Sequence, residues 1–203
     1  MNSFKQALIH LKNHWKYGLL IGALGLMVAL ILRHIPYVSA FLTAFALLIL
    51  QHLTDRWMEG KKWQNLSTLK EFLLPFVVTS LILFPTTVLI GSSLGILQSP
   101  QEYLSGAPLS LGLFMLGAFF YLVLTHALRY RMETTTGLAE ALDIVGLASM
   151  KNFRVYFVLS FYLALLLLLA GVTWGLGFLV AFPMLFFSSH YSYNEMKTLF
   201  VKK

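Results

Sequence analysis

"FRVYFVLSFYLALLLLLAGVTWGLGFLVAFPMLFFSSHYSYNEM", Phe153 to Met196, decides the architecture. Its first run, Phe153–Gly171, carries a single charge at Arg154. A short "GVTWG" turn (Gly171–Gly175) follows, and a second run, Gly175–His190, ends in histidine, tyrosine, serine, asparagine and glutamate. A membrane span needs about 20 predominantly apolar residues. Two runs close to that length, joined by a tight turn, predict a transmembrane hairpin. In hydrocarbon every backbone polar group must be satisfied within the protein, and the runs lack the period-two alternation of barrel strands. The spans are therefore helices.

The same pattern repeats outward from this segment. The chain is 58% hydrophobic and only 11% charged, against about 25% charged in soluble domains, and its mean hydropathy is +0.76. Four further runs, Tyr17–Leu32, Pro36–Leu53, Phe72–Leu97 and Leu109–Leu128, complete a set of six predicted spans. The first is short and borrows flanking residues or thins the bilayer locally. The expected fold is an all-α polytopic membrane bundle of six transmembrane helices in three hairpins, with two cytoplasmic interfacial amphipathic helices. It forms one membrane domain in three parts: residues 1–53 (surface helix and first hairpin), 66–128 (second hairpin) and 136–196 (surface helix and third hairpin). Outer turns are short at "RHIP" (Arg33–Pro36) and "GVTWG", and longer at "QSPQEYLSGAP" (Gln98–Pro108).

Orientation follows from Lys and Arg, which cytoplasmic loops retain. Of the 15 in the chain, only Arg33 falls on the side opposite the termini. Both termini are thus expected in the cytoplasm. The net charge of +7 is explained by topology and anionic lipid headgroups, and no nucleic-acid partner is expected. The Lys-bearing start and "VSA" (Val38–Ala40) imitate a signal peptide, but Arg33 and His34 interrupt the apolar core, so no cleavage is expected there. With no cysteine in the chain, disulfides, thiol nucleophiles and thiolate metal ligands are excluded.

The first and third hairpins share short stretches. "KNHWKY" (Lys12–Tyr17) matches "KNFRVY" (Lys151–Tyr156), and "LTAF" (Leu42–Phe45) matches "LVAF" (Leu179–Phe182). Both copies would insert in the same sense, as a weak parallel repeat. Each begins with a segment too polar to span. Phe4, Leu8, Leu11 and Trp15 recur at helical spacing after Ser3 and Gln6, which have capping-box spacing. Leu138, Ala141, Leu142, Val145 and Ala148 form the second stripe. These predict helices on the cytoplasmic surface whose apolar faces pack on the bundle or dock a partner. "GLAEALDIVGLASMKNFRVYF" (Gly137–Phe157) followed by "GLGFLVAFPMLFFSSHYSY" (Gly175–Tyr193), with "LTHALRYR" (Leu124–Arg131) closing the fourth span, resembles the YciC-type and related families of uncharacterised bacterial six-span inner-membrane proteins. The resemblance implies a bacterial inner (cytoplasmic) membrane location and six spans, and it carries no catalytic residue.

His52, His126 and His190 stand at equivalent cytoplasmic ends of the second, fourth and sixth spans. Three neutral imidazoles could bind a transition metal with one position left open. Histidine also suits an interface with one apolar and one wet side. The reading adopted is interfacial packing, with no metal and no cofactor. The third span carries Pro75 and Pro85 with hydroxyls at Thr79, Ser80, Thr86, Thr87, Ser92 and Ser93. Pro85 removes a backbone hydrogen bond near mid-membrane. Pro85, Thr86, Thr87, Ser92 and Ser93 are therefore the candidate ligand-binding residues, the competing reading being a kinked helix whose hydroxyls bond its own backbone. Gly18/Gly22 has the spacing of a close helix contact. No general base stands near a buried nucleophile, so no enzyme is expected. The leading function is a non-enzymatic scaffold, assembly or regulatory subunit, in contact with membrane lipids and with another membrane subunit or a copy of itself. The alternatives are a transport component for a small uncharged or lipid-like molecule, and a histidine-based metal-binding membrane protein.

Overall fold

The computed structural model describes residues 2–32, 38–60, 73–85, 87–88, 103–134, 136–173 and 176–200. Among them are eight helices and no strand: α1 (Asn2–Asn13), α2 (Trp15–Leu32), α3 (Val38–Met58), α4 (Leu73–Pro85), α5 (Tyr103–Thr134), α6 (Leu138–Lys151), α7 (Phe153–Val172) and α8 (Phe178–Phe200). Gly106–Thr134 of α5 and Phe153–Ala170 of α7 are long and apolar enough to cross a membrane. The Arg33–Pro36 turn and the first part of the Gln98–Pro108 loop lie outside the described residues.

α3, α5 and α8 run parallel and form the centre. Their register follows from contacts that advance together along all three. Gln51 reaches Phe186, Thr125 reaches Ser189, Asp55 reaches His190, and Glu133 reaches Lys197. Within this trio Ala44, Leu48, Ala118, Leu122, Phe182 and Phe186 form the apolar core. The other helices lie around it. α2 runs antiparallel to α8, and α1 continues the same line towards the far end of α8, from Ala7 against Phe187 to Ser3 against Glu195. α6 and α7 form the corresponding line along α5. Phe76 of α4 meets His52 of α3 edge-on, ring centres 5.8 Å apart.

Each long line bends at a Lys-Asn pair, since α1 ends at Asn13 before Trp15 opens α2, and α6 ends at Lys151 before Phe153 opens α7. Glycine sets the spacing at the α2–α8 contact. A Cβ on Gly22 would stand 2.4 Å from the Leu179 carbonyl oxygen, and one on Gly25 would stand 2.6 Å from the Phe182 ring. Gly22 of the Gly18/Gly22 pair thus marks a true close approach of the two helices, whereas a Cβ on Gly18 would stand at an ordinary 3.8 Å from Pro183 of α8.

Three expectations need correction. The polar stops do not end their helices. α3 continues past Leu53 to Met58, α5 past Leu128 to Thr134, and α8 past His190 to Phe200, because their polar side chains pair with one another across the trio. α5 also begins at Tyr103 and takes in Pro108, which the sequence places in a loop. Pro108 is the sixth residue of α5, past the first four N–H groups that have no partner within a helix, so it costs the first turns one bond, to the Leu104 carbonyl, without ending the helix. Finally, α1 buries Ser3 and Ala7, with Phe4 and Leu11 of the expected stripe partly buried beside them, while Leu8 and Trp15 of that stripe are 53% and 56% exposed. The Ser3 hydroxyl donates to Glu195 at 2.6 Å, and no cap is formed by it. Small side chains let α1 lie close on α8, and apolar periodicity alone cannot distinguish that face from one meant for lipid. In α6 the expected stripe is the buried one, with Ala141, Val145 and Ala148 enclosed.

Candidate functional site

At the far end of the central trio, polar residues stack in layers one helical turn apart. Gln51, Thr125 and Ser189 form the first and are all buried. Thr125 and Ser189 hydroxyls lie 3.1 Å apart. The Gln51 amide donates to Asp55 at 3.0 Å and to the Phe186 carbonyl at 3.2 Å, and its oxygen accepts from the Tyr121 hydroxyl at 3.1 Å.

Arg129 organises the next two layers. Its guanidinium donates to Asp55 at 3.3 Å, to Glu133 at 3.3 Å, to Glu59 and to the Asn194 carbonyl oxygen at 3.2 Å, while its Cζ lies 4.3 Å from the centre of the Tyr193 ring. With the side chain only 11% exposed, three carboxylates gathered on one cation are held mainly by that cation. His190 sits among these groups, with Nδ1 2.9 Å from Asp55 and 3.0 Å from the Arg129 guanidinium, and Nε2 3.1 Å from the Asn194 NH2 group.

Glu133 adds the outermost pair. Burial pushes its carboxyl up, but the Lys197 ammonium at 2.6 Å, the Tyr193 hydroxyl at 3.0 Å and Arg129 outweigh that and hold it below its ordinary value of 4.5. Burial first, then Glu133, pushes the Tyr193 hydroxyl up, so it stays protonated as a donor. The sign for stability follows. A carboxyl depressed in the folded state contributes stability that is complete above 4.5 and lost as pH falls through its folded value. Acid titration below pH 4.5 is expected to lower the thermal midpoint less in Glu133→Gln than in the natural protein. Equal slopes in this range would contradict the assignment.

His126 is fully enclosed. Nε2 lies 2.9 Å from the Ser189 carbonyl and must donate to it, which leaves Nδ1 to accept from the Tyr156 hydroxyl at 2.7 Å. Ser192 lies 3.0 Å from the same Nε2. A nitrogen that already carries a proton cannot take another from Ser192, so this serine–histidine contact is not an activated nucleophile.

The three aligned histidines do not converge. His126 faces Tyr156, His190 faces Asp55, and His52 faces Phe76. Among the described residues, no three His, Asp or Glu side chains are grouped to hold a metal. His126 and His190 are buried at 1% and 5% exposure rather than placed at a wet boundary. In the third span, Thr79, Ser80 and Thr87 donate to the carbonyls of Pro75, Phe76 and Phe84 on their own helix segment, and Thr87 and Val88, past Pro85, are again helical. Thr86, Ser92 and Ser93 lie outside the described residues. A cavity does occur beside the charged layer, between α3 and α5, bounded by Gln51, His52, Asp55, Thr125 and Arg129. Its volume is about 10 Å³, room for one water.

The polar layers lay beyond sequence reasoning because their members are 60 or more residues apart. Superposing the three polar stops on their histidines would have shown them. Asp55, Arg129 and Tyr193 then share one position, and Glu59, Glu133 and Lys197 the position one turn further on. No family model, curated protein or solved structure matches the chain.

Proposed function

We propose that the chain is a six-span protein of the bacterial inner membrane, both termini cytoplasmic, acting as a non-enzymatic scaffold, assembly or regulatory subunit of a membrane complex. Its polarity supports the membrane reading. Leu74 of α4, Leu20 of α2 and Leu169 of α7 are 70%, 57% and 55% exposed, while Gln51, Thr125, His126 and Ser189 are buried. An apolar exterior around a polar interior suits lipid as solvent.

The observation that carries the functional reading is the closure of the polar layers. Arg129, Asp55, His190, Asn194 and Glu133 bond to one another, and the adjoining cavity takes about one water rather than a substrate. Such a network holds three helix ends in register, the requirement for presenting a fixed cytoplasmic face. Membrane lipids and a second membrane subunit, or another copy of the chain, are the partners. Mild extraction from native membranes is expected to yield a discrete assembly well above the 23.0 kDa chain. A lone chain carrying a stoichiometric small molecule would favour a transport component instead.

A further inference from the structure

Away from the polar layers, a second group of side chains gathers at the bend between α1 and α2. His10, in the last turn of α1, and His14, the residue at the bend, are one helical turn apart, and their ring centres lie 4.5 Å from one another. Trp57 of α3 meets both edge-on, ring centres 5.6 Å from His10 and 5.8 Å from His14. Phe187 of α8 closes the far side of His10 at 4.8 Å. Tyr191 of α8 places its hydroxyl 3.1 Å from His10 Nδ1. Nε2 of the same ring is buried without a hydrogen-bond partner.

That arrangement is incomplete as it stands. In the tautomer whose Nδ1 donates to the Tyr191 oxygen, Nε2 carries an unshared lone pair beside the exposed ring of His14. A buried polar atom left so costs roughly 1–3 kcal/mol, and a metal ion would satisfy it. A metal-bound histidine characteristically donates its other N–H to an oxygen that fixes the ring, which Tyr191 is placed to accept. Residues four apart on a helix share a face. A metal about 2.0 Å from a ring nitrogen lies about 3.2 Å from the ring centre, so rings with centres 4.5 Å apart are close enough to share one ion.

We propose that His10 and His14 form a two-histidine site for a divalent late transition metal, Cu²⁺ or Ni²⁺ in preference to Zn²⁺, which clasps the α1–α2 bend. Imidazole donors bind Cu²⁺ most tightly among the divalent first-row ions, and water fills the remaining positions, since among the described residues no third His, Asp or Glu joins the pair. Because Tyr191 and Phe187 belong to α8, a bound ion fixes the bend relative to the central trio. The site is separate from His52, His126 and His190.

The test uses the full chain, purified without a histidine tag in lipid nanodiscs, titrated with Cu²⁺ in a glycine buffer while tryptophan fluorescence is followed. Trp57 touches both imidazoles, so a paramagnetic ion bound there quenches it. Saturation at one equivalent is expected, with at least a tenfold weaker midpoint in His14→Ala, whose exposed side chain can be removed without disturbing the core. Tyr191→Phe is expected to weaken binding about tenfold by loss of the orienting hydroxyl. His52→Ala, on the far side of α3 against Phe76, is expected to keep the natural midpoint. The proposal is overturned if His14→Ala binds like the natural protein.

Discussion

Arg129→Ala is expected to destabilise the protein by about 3–5 kcal/mol, the range for removing one member of a buried ion cluster. The loss arises less from the bonds removed than from the groups left behind. Asp55, Glu59 and Glu133 all point at the guanidinium, and with it gone three carboxylates at 12% to 22% side-chain exposure face one another. Thermal unfolding in nanodiscs measures the loss. Neutralising the orphans in the background of Arg129→Ala, with Asp55→Asn and Glu59→Gln, is expected to restore more than half of it, although each change alone weakens the natural protein. Should Arg129→Ala fail to fold, Arg129→Lys keeps the experiment open. Lysine preserves the charge but not the planar fork, so an intermediate loss is expected. A midpoint unchanged in both variants would mean that the layers do not hold the helices.

Gly22→Leu is expected to have the second large effect, separating α2 from α8. Even the Cβ of alanine would fall 2.4 Å from the Leu179 carbonyl oxygen and 2.8 Å from its Cα, and backbone cannot rotate away. Overpacking a well-fitted contact costs about 1–3 kcal/mol, so alanine is expected in the upper part of that range and leucine beyond it. Two controls have other outcomes. Gly18→Ala meets first a Leu11 methyl at 2.2 Å, the end of a side chain that can move, so a smaller loss is expected. Gly146→Ala in α6 meets nothing within 4 Å and is expected to stabilise by about 0.5–1 kcal/mol through helix propensity. A destabilising Gly146→Ala together with a neutral Gly22→Ala would reverse the packing account.

What the sequence made legible was governed by local periodicity. The α6 stripe at Ala141, Val145 and Ala148, and the close approach at Gly22 of the Gly18/Gly22 pair, depend on residues within one helix, and both are found where expected. The length of α8 beyond His190 was not legible, because "YSYNEMK" is polar and reads as a loop unless its partners are known. Those partners, Asp55, Arg129 and Glu133, lie on other helices far along the chain. The burying face of α1 was hidden for a related reason. Ser3 and Ala7 are small rather than apolar, so the residues that permit close contact carry little hydropathy signal. The candidate site was therefore visible as three histidine-marked stops, but not as one network.

The central claim is that six spans place the polar layers and both termini on the cytoplasmic side. Since the natural chain has no cysteine, single cysteines introduced at Gln64 and Gln101 can be labelled in intact spheroplasts with a membrane-impermeant maleimide. The account predicts that the cysteine at position 101 reacts from outside and that the one at position 64 reacts only after the membrane is opened. Labelling of both from the same side would contradict it.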